Sequence, residues 1–265
     1  MKTPALGALL VEARNVVHAI RDERRAPRVG PVVVSGMLAE QLARELGAGA
    51  EPGSVVVGDE PARVGAQVAV RVIAGDPSEE DDAFVRVAER AEIPIVLVQL
   101  WPQADWRGPF VLSPFVVECK AGEGFPVRKI ADQIAAAAVN RTSLAGRIPV
   151  LKDSVVDGVT RGALVRAALV GASAGRKAVR PLLALEQVVM ISRLRAVEDE
   201  SKSEDQLPVV AGTAAATIAA SFALRALARQ AGRSLPVPLV NVAVAVGGTW
   251  ALAKLARELE ARHLL

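Results

Sequence analysis

The chain has 265 residues, 51% of them apolar, with a mean hydropathy of +0.31, so much of it must lie buried or against lipid. A net charge of only +3, no tyrosine and 3% aromatics leave no interleaving of basic and stacking side chains, and no nucleic-acid partner is expected. Cys119 stands alone and His18 and His263 lie near opposite ends, which argues against a disulfide framework and against a metal cluster, so neither metal nor cofactor is expected.

Leu6, Leu9, Ala13, Val16, Val17 and Ile20 fall at helical spacing before Pro27 and predict an amino-terminal amphipathic helix within residues 1–28. Glu12 interrupts its apolar stretch and no small-residue cleavage pattern follows, so it does not read as a signal peptide. From 29 to 142, strand and helix patterns alternate. A β-branched run at Val32–Val34 is followed by a helical pattern from Met37 to Leu46. Strands are then expected at Ser54–Val57 and Val68–Ala74. Ser78, with Asp81 three residues on, forms a capping-box pattern opening a helix that carries Phe84, Val85, Val87 and Ala91 toward Pro94. Ile95–Leu100 is a continuous apolar run, the form of a strand buried on both faces. Phe110–Glu118 holds a last strand, and Pro126 opens a helix running to Val139. The alternation predicts an α/β fold with a doubly wound, mostly parallel sheet.

The remainder, 143–265, reads as an all-α helical domain. Val155–Gly171 and Leu182–Val197 are helical in pattern, and Glu198–Asp205 is a charged linker. An apolar hairpin, 206–253, follows: the uncharged runs Gln206–Leu224 and Ser234–Ala253, joined by a loop holding Arg225, Arg229 and Arg233. Each run is near the roughly 20 residues that span a bilayer. Gly212, Ala216 and Ala220 form a small-residue stripe suited to close helix packing in lipid, and Gly247 and Gly248 lie in the second arm. Abundant alanine, Thr213, Thr217, Asn241, Pro236 and Pro238 weaken insertion. Two readings stand. One is a module on the cytoplasmic face of the inner membrane, integral or peripheral; the other is a soluble Ala-rich bundle, with homo-oligomers formed through the helical half.

No catalytic constellation stands out. There is no G-x-S-x-G elbow to pair with either histidine. The run Glu79, Glu80, Asp81, Asp82 complements a helix dipole. Trp101 and Trp106 flank a proline-bearing loop and are candidates for an interaction surface.

The element order, with Val117-Glu118-Cys119-Lys120-Ala121-Gly122-Glu123-Gly124 before the last helix, resembles an Era-like small GTPase domain and its S-A-K-x-G-E-G guanine loop. The resemblance spans Val32 to Val139 and implies a ligand at the strand carboxyl ends, near Gly36, Asp76, Lys120, Gly122 and Gly124. The chemistry departs from it. Aligned from Gly36, a G-x-x-x-x-G-K-[ST] loop would end at Gln41, Leu42 and Ala43, and the chain has no Gly-Lys pair. Asp76 leads into Pro77, Ser78 and Glu79 rather than D-x-x-G, and Gln99-Leu100-Trp101-Pro102 stands in place of the base-reading N-K-x-D. Without the lysine and magnesium ligands, the stabilisation that carries phosphoryl transfer is lost. From Leu144 on, the chain resembles the helical tail found behind such domains in bacteria, including the YcjF-type family. The resemblance rests on Leu183-Ala-Leu-Glu186-Gln187-Val-Val-Met190-Ile-Ser-Arg193, on Arg225-Ala-Leu-Ala-Arg229 and on the stretch from Ala245 to Ala253. It implies a non-catalytic pseudo-GTPase with a membrane-associated helical module in a scaffolding or regulatory role. The alternatives are a nucleotide-responsive binding protein without hydrolysis and a soluble oligomeric interaction protein.

Overall fold

The computed structural model describes residues 30–102, 115–173 and 237–261, with helical residues between Glu186 and Val197. The chain divides into two compact units, Ala26–Val155 and a second that holds the described residues from Val156 onward.

The first unit is built on five strands: β1 (Val32–Gly36), β2 (Val55–Val57), β3 (Val68–Ala74), β4 (Ile95–Leu100) and β5 (Val116–Cys119). They form one sheet in the order β2-β1-β3-β4-β5, with every neighbouring pair parallel. Valine and isoleucine dominate because branched side chains pack well on a pleated surface. The central strands β3 and β4 are buried almost throughout, as parallel strands covered on both faces must be.

Four helices accompany the sheet: α1 (Ala39–Leu46), α2 (Glu79–Arg90), α3 (Val127–Ala137) and α4 (Arg141–Arg147). Phe84, Val85 and Ala88 of α2 pack on Val33, Ala69, Ile73, Ile95 and Leu97. The alternate strand residues Val32, Val34, Val68, Val70, Val72, Val96 and Val98 point the other way and are at most 1% exposed. Helices α1 and α3 pack on each other, α1 also on β1 and β2 and α3 on β4. Their buried faces are Leu42 and Leu46, and Ile130 and Ile134. The capping box that opens α2 forms: the Asp81 amide donates to Ser78 Oγ at 3.3 Å, and the Ser78 amide donates to Asp81 Oδ2 at 2.8 Å.

The order of elements is the one expected from the sequence, with differences at the joints. β1 runs on to Gly36 and α1 begins at Ala39 rather than Met37, because Gly36 (φ 91) and Leu38 (φ 56) both lie in the left-handed region. The last strand is described only over Val116–Cys119, since 103–114 fall outside the described residues. α4 and a 3-10 turn at Pro149–Leu151 pack on α3, an addition that no periodicity marked.

In the second unit, α5 (Lys152–Ser173) begins in the first unit and contributes its residues from Val156 on, beside the helical residues of 186–197 and α6 (Val237–Ala261). Ala167 and Val170 of α5 meet Ala245 of α6. Arg166 Nε donates to Glu186 Oε2 at 2.6 Å. Met190, Leu194 and Val197 are buried. Among the described residues no helix is long and apolar enough to cross a membrane. This corrects the expectation of a spanning second arm. In α6 the apolar run is diluted by Pro238, Asn241, Gly247, Gly248 and Thr249, and the Thr249 hydroxyl turns back to the Ala245 carbonyl at 2.8 Å. The first arm with Gly212, Ala216 and Ala220, the loop with Arg225, Arg229 and Arg233, the 1–28 segment and Trp106 lie outside the described residues.

Candidate functional site

Because all five strands are parallel, their carboxyl ends share one edge, and open α/β sheets bind ligands there, in the crevice where strand order reverses. Here the order reverses between β1 and β3, since β2 lies on one side of β1 and β3 on the other. The residues expected to bind ligand all fall along this edge. Gly36 ends β1, Asp76 follows β3, and Lys120, Gly122 and Gly124 follow β5. Trp101 joins them at the end of β4.

The end of β1 stays tied to β3 through its backbone as far as Met37. A Cβ placed on Gly36 would lie 2.1 Å from the Val72 carbonyl oxygen, and the Met37 amide donates to that same oxygen at 3.1 Å. Only Met37 and Leu38 separate β1 from α1. A phosphate cradle needs a longer loop whose consecutive amides converge on the anion, and two residues cannot encircle one.

Below this edge lies a polar cluster that sequence reasoning missed. Arg71 sits at the middle of β3 with its side chain 8% exposed. Its Nε donates to Asp81 Oδ1 at 2.7 Å, and its Nη1 donates to Ser35 Oγ at 3.1 Å and to Asp59 Oδ1 at 3.0 Å. The guanidinium lies over the Phe84 ring, 5.2 Å from its centroid. Ser35 is the register partner of Arg71, which places it on the same face of the neighbouring strand. Asp81 comes from the first turn of α2, and Asp59 from the 58–67 segment that returns the chain from β2 to β3. Parallel crossovers usually use a helix and a dozen or more residues. This one is short and irregular, and the Arg71–Asp59 bond pins its start. Burial would raise the Asp81 carboxyl. Hydrogen bonds from the Ser78 amide, Arg71 and the Ser78 hydroxyl, with the Arg71 charge, outweigh that and hold it below the usual carboxylate range. One signal in the sequence points to the cluster: an arginine inside an apolar strand must find buried partners.

At the end of β5, Gly122 (φ 80) turns the chain and the Glu123 amide donates to the Lys120 carbonyl at 3.2 Å. The Cys119 thiol donates to the Gly124 carbonyl at 3.4 Å, and the Trp101 amide donates to the Cys119 carbonyl at 2.8 Å. Burial, followed by the charges of Glu123 and Glu45, pushes the Cys119 thiol up. The rim of the edge is acidic: Asp59, Glu60, Asp76, Glu79, Glu80 and Asp82 are exposed, and Glu60 pairs with Arg63 at 3.3 Å. Among the described residues, no group of three histidine, cysteine or carboxylate side chains is placed to hold a metal ion.

The chain matches no protein-family model, no curated protein and no solved structure.

Proposed function

We propose that the chain is a non-catalytic, pseudo-GTPase-like protein: a doubly wound α/β module that acts by binding other macromolecules in a scaffolding or regulatory role, joined to a helical module. The strand order β2-β1-β3-β4-β5, with helices against the sheet, supports the doubly wound reading. The observation that carries the functional one is the connection from β1 to α1, which is only Met37 and Leu38 and too short to wrap a phosphate. Arg71 supports it too, because its charge is spent on Asp81 and Asp59.

The test is a thermal melt of the full chain with GTP, GDP and ATP in the presence of Mg²⁺. A ligand that binds only the folded state raises the melting temperature, by an amount that grows with the logarithm of its concentration above Kd. No rise and no phosphate release are expected. A rise that grows with nucleotide concentration and is lost in Lys120→Ala would replace this reading with the nucleotide-responsive one.

A second reading places the helical module on the membrane surface, on its cytoplasmic side, without spanning it. Trp250 of α6 is 55% exposed, and Lys254 lies over its ring, 5.6 Å from the centroid. Tryptophan and lysine are suited to the membrane–water interface. Co-sedimentation with anionic vesicles, reduced by Trp250→Ala and reversed by alkaline carbonate, supports it. Absence from the vesicle pellet leaves the helical half as a soluble interaction module.

A further inference from the structure

The carboxyl edge of the sheet carries large apolar side chains in the open. Met37 is 51% exposed, Leu38 48% and Trp101 48%. Leu38 (φ 56) and Trp101 (φ 53) hold left-handed backbone conformations that are unfavourable for bulky residues, and strain of this kind gathers at functional positions. The backbone around them holds that conformation: the Met37 amide is tied to Val72 and the Trp101 amide to Cys119.

Met37 and Leu38 follow β1, Trp101 follows β4, and β3 lies between those strands. Two strand spacings separate the apolar groups by about 10 Å, close to the width of an α-helix with its side chains. The strand between them ends in Ala74 and is followed by Gly75, neither of which raises a large side chain.

The flanks of this trough are acidic. Asp76, Glu79 and Glu80 stand exposed where β3 gives way to α2, while Asp59 and Glu60, after β2, are shared with Arg71 and Arg63. Such a rim repels phosphates and anionic lipid and attracts lysine and arginine.

We infer that the carboxyl edge of the sheet is a docking surface for a basic, amphipathic helical segment of another protein. Its apolar stripe lies between Leu38 and Trp101, and its lysines or arginines meet the acidic flanks. This inference rests on the non-catalytic reading above.

The experiment uses the full chain and two labelled amphipathic peptides, one of leucine and lysine and one of leucine and glutamate at the same spacing, read by fluorescence anisotropy. The lysine peptide is expected to bind at least about tenfold more tightly than the glutamate peptide, with an affinity that falls as salt rises. Leu38→Gly is expected to weaken binding at least about fivefold while the chain melts within a few degrees of wild type, since glycine takes the same backbone conformation without strain. Glu79→Lys with Glu80→Lys should weaken the lysine peptide and favour the glutamate one. Equal affinity for the two peptides, no binding of either, or wild-type binding by Leu38→Gly overturns the inference. Binding of anionic vesicles through Leu38 and Trp101 would also overturn it and put a membrane in the partner's place. Adding GTP with Mg²⁺ separates the two failures. If the lysine peptide does not bind and nucleotide shifts nothing, only the docking surface fails. If nucleotide itself binds, the non-catalytic reading fails.

Discussion

Arg71 Nε and Asp81 Oδ1 lie 2.7 Å apart, with the two side chains only 8% and 10% exposed, whereas Asp59, the other carboxylate on the same guanidinium, is 77% exposed. That asymmetry decides what each carboxylate is worth. Removing Asp81 leaves the buried Arg71 only the exposed Asp59 and the Ser35 hydroxyl, at a cost of about 3 kcal/mol. In Asp81→Ala the capping box that opens α2 is lost as well. Asp59→Ala removes a solvent-screened partner and should cost less than about 1 kcal/mol. Urea denaturation of the two variants checks the order, and comparable losses would mean that Asp59 is held more tightly than its exposure implies.

The same pair sets an acid limit. The Asp81 carboxyl titrates below its unfolded value, so its contribution is complete above the unfolded pKa of about 4 and is lost as pH falls through the lower folded value. Stability of the wild type should therefore drop below about pH 4. Asp81→Asn should show a shallower decline over that range, measured as urea midpoints between pH 2 and 6. Parallel curves for the two proteins would remove Asp81 as the source.

Gly36 and Leu38 both favour glycine over alanine, for the same backbone reason. At Gly36 a Cβ would strike the Val72 carbonyl oxygen at 2.1 Å, with φ already at 91, so Gly36→Ala is expected to cost about 3 kcal/mol. At Leu38, Leu38→Gly and Leu38→Ala lose the same packing, yet only glycine accepts φ 56 freely. The glycine variant should be the more stable of the two by about 1 kcal/mol, in line with the preference for glycine over alanine at a helix N-cap. Equal melting temperatures would mean that the loop relaxes out of the left-handed region once leucine is gone.

Cys119 is the chain's single cysteine, so thiol chemistry reads one site. It is 4% exposed, its thiol donates to the Gly124 carbonyl, and burial raises its pKa. The reactive species is the thiolate, so alkylation of the native chain at pH 8 should be at least about tenfold slower than in urea. A native rate equal to the unfolded rate would show that the turn following β5 opens readily.

The strands were legible because branched apolar runs between turn residues have few other uses, and Ile95–Leu100 matches its expected bounds residue for residue. The Ser78–Asp81 box was legible because a capping box is local. What Asp81 does with its other oxygen was not, because Arg71 is ten residues away and Ser35, which shares that guanidinium, a further thirty-six. Read locally, Asp81 was one of four dipole-facing carboxylates. The fold picks it out by burying it. The order of the strands was equally invisible, since it depends on which non-local pairs form. Periodicity starts the helix at Met37 instead of Ala39, because a leucine at positive φ leaves no mark on it.

The compact α/β unit runs to Val155, and its last part supplies core that the sheet and α3 lack. Leu144, Ile148 and Leu151 are each at most 1% exposed, and their elements, α4 and the 3-10 turn, pack with α3. Fully burying a leucine or isoleucine contributes about 1.5–3 kcal/mol relative to leaving it exposed. Three such residues hold a sizeable share of the roughly 5–15 kcal/mol typical of a whole domain. A fragment of residues 26–155 should therefore unfold in one cooperative urea transition, with a slope of about 1–2 kcal/mol/M. A fragment of residues 26–138 should be several kcal/mol less stable, or should not fold at all. If the shorter fragment matches the longer in midpoint and slope, α4 and the 3-10 turn add nothing to this core. The α/β unit would then close at α3.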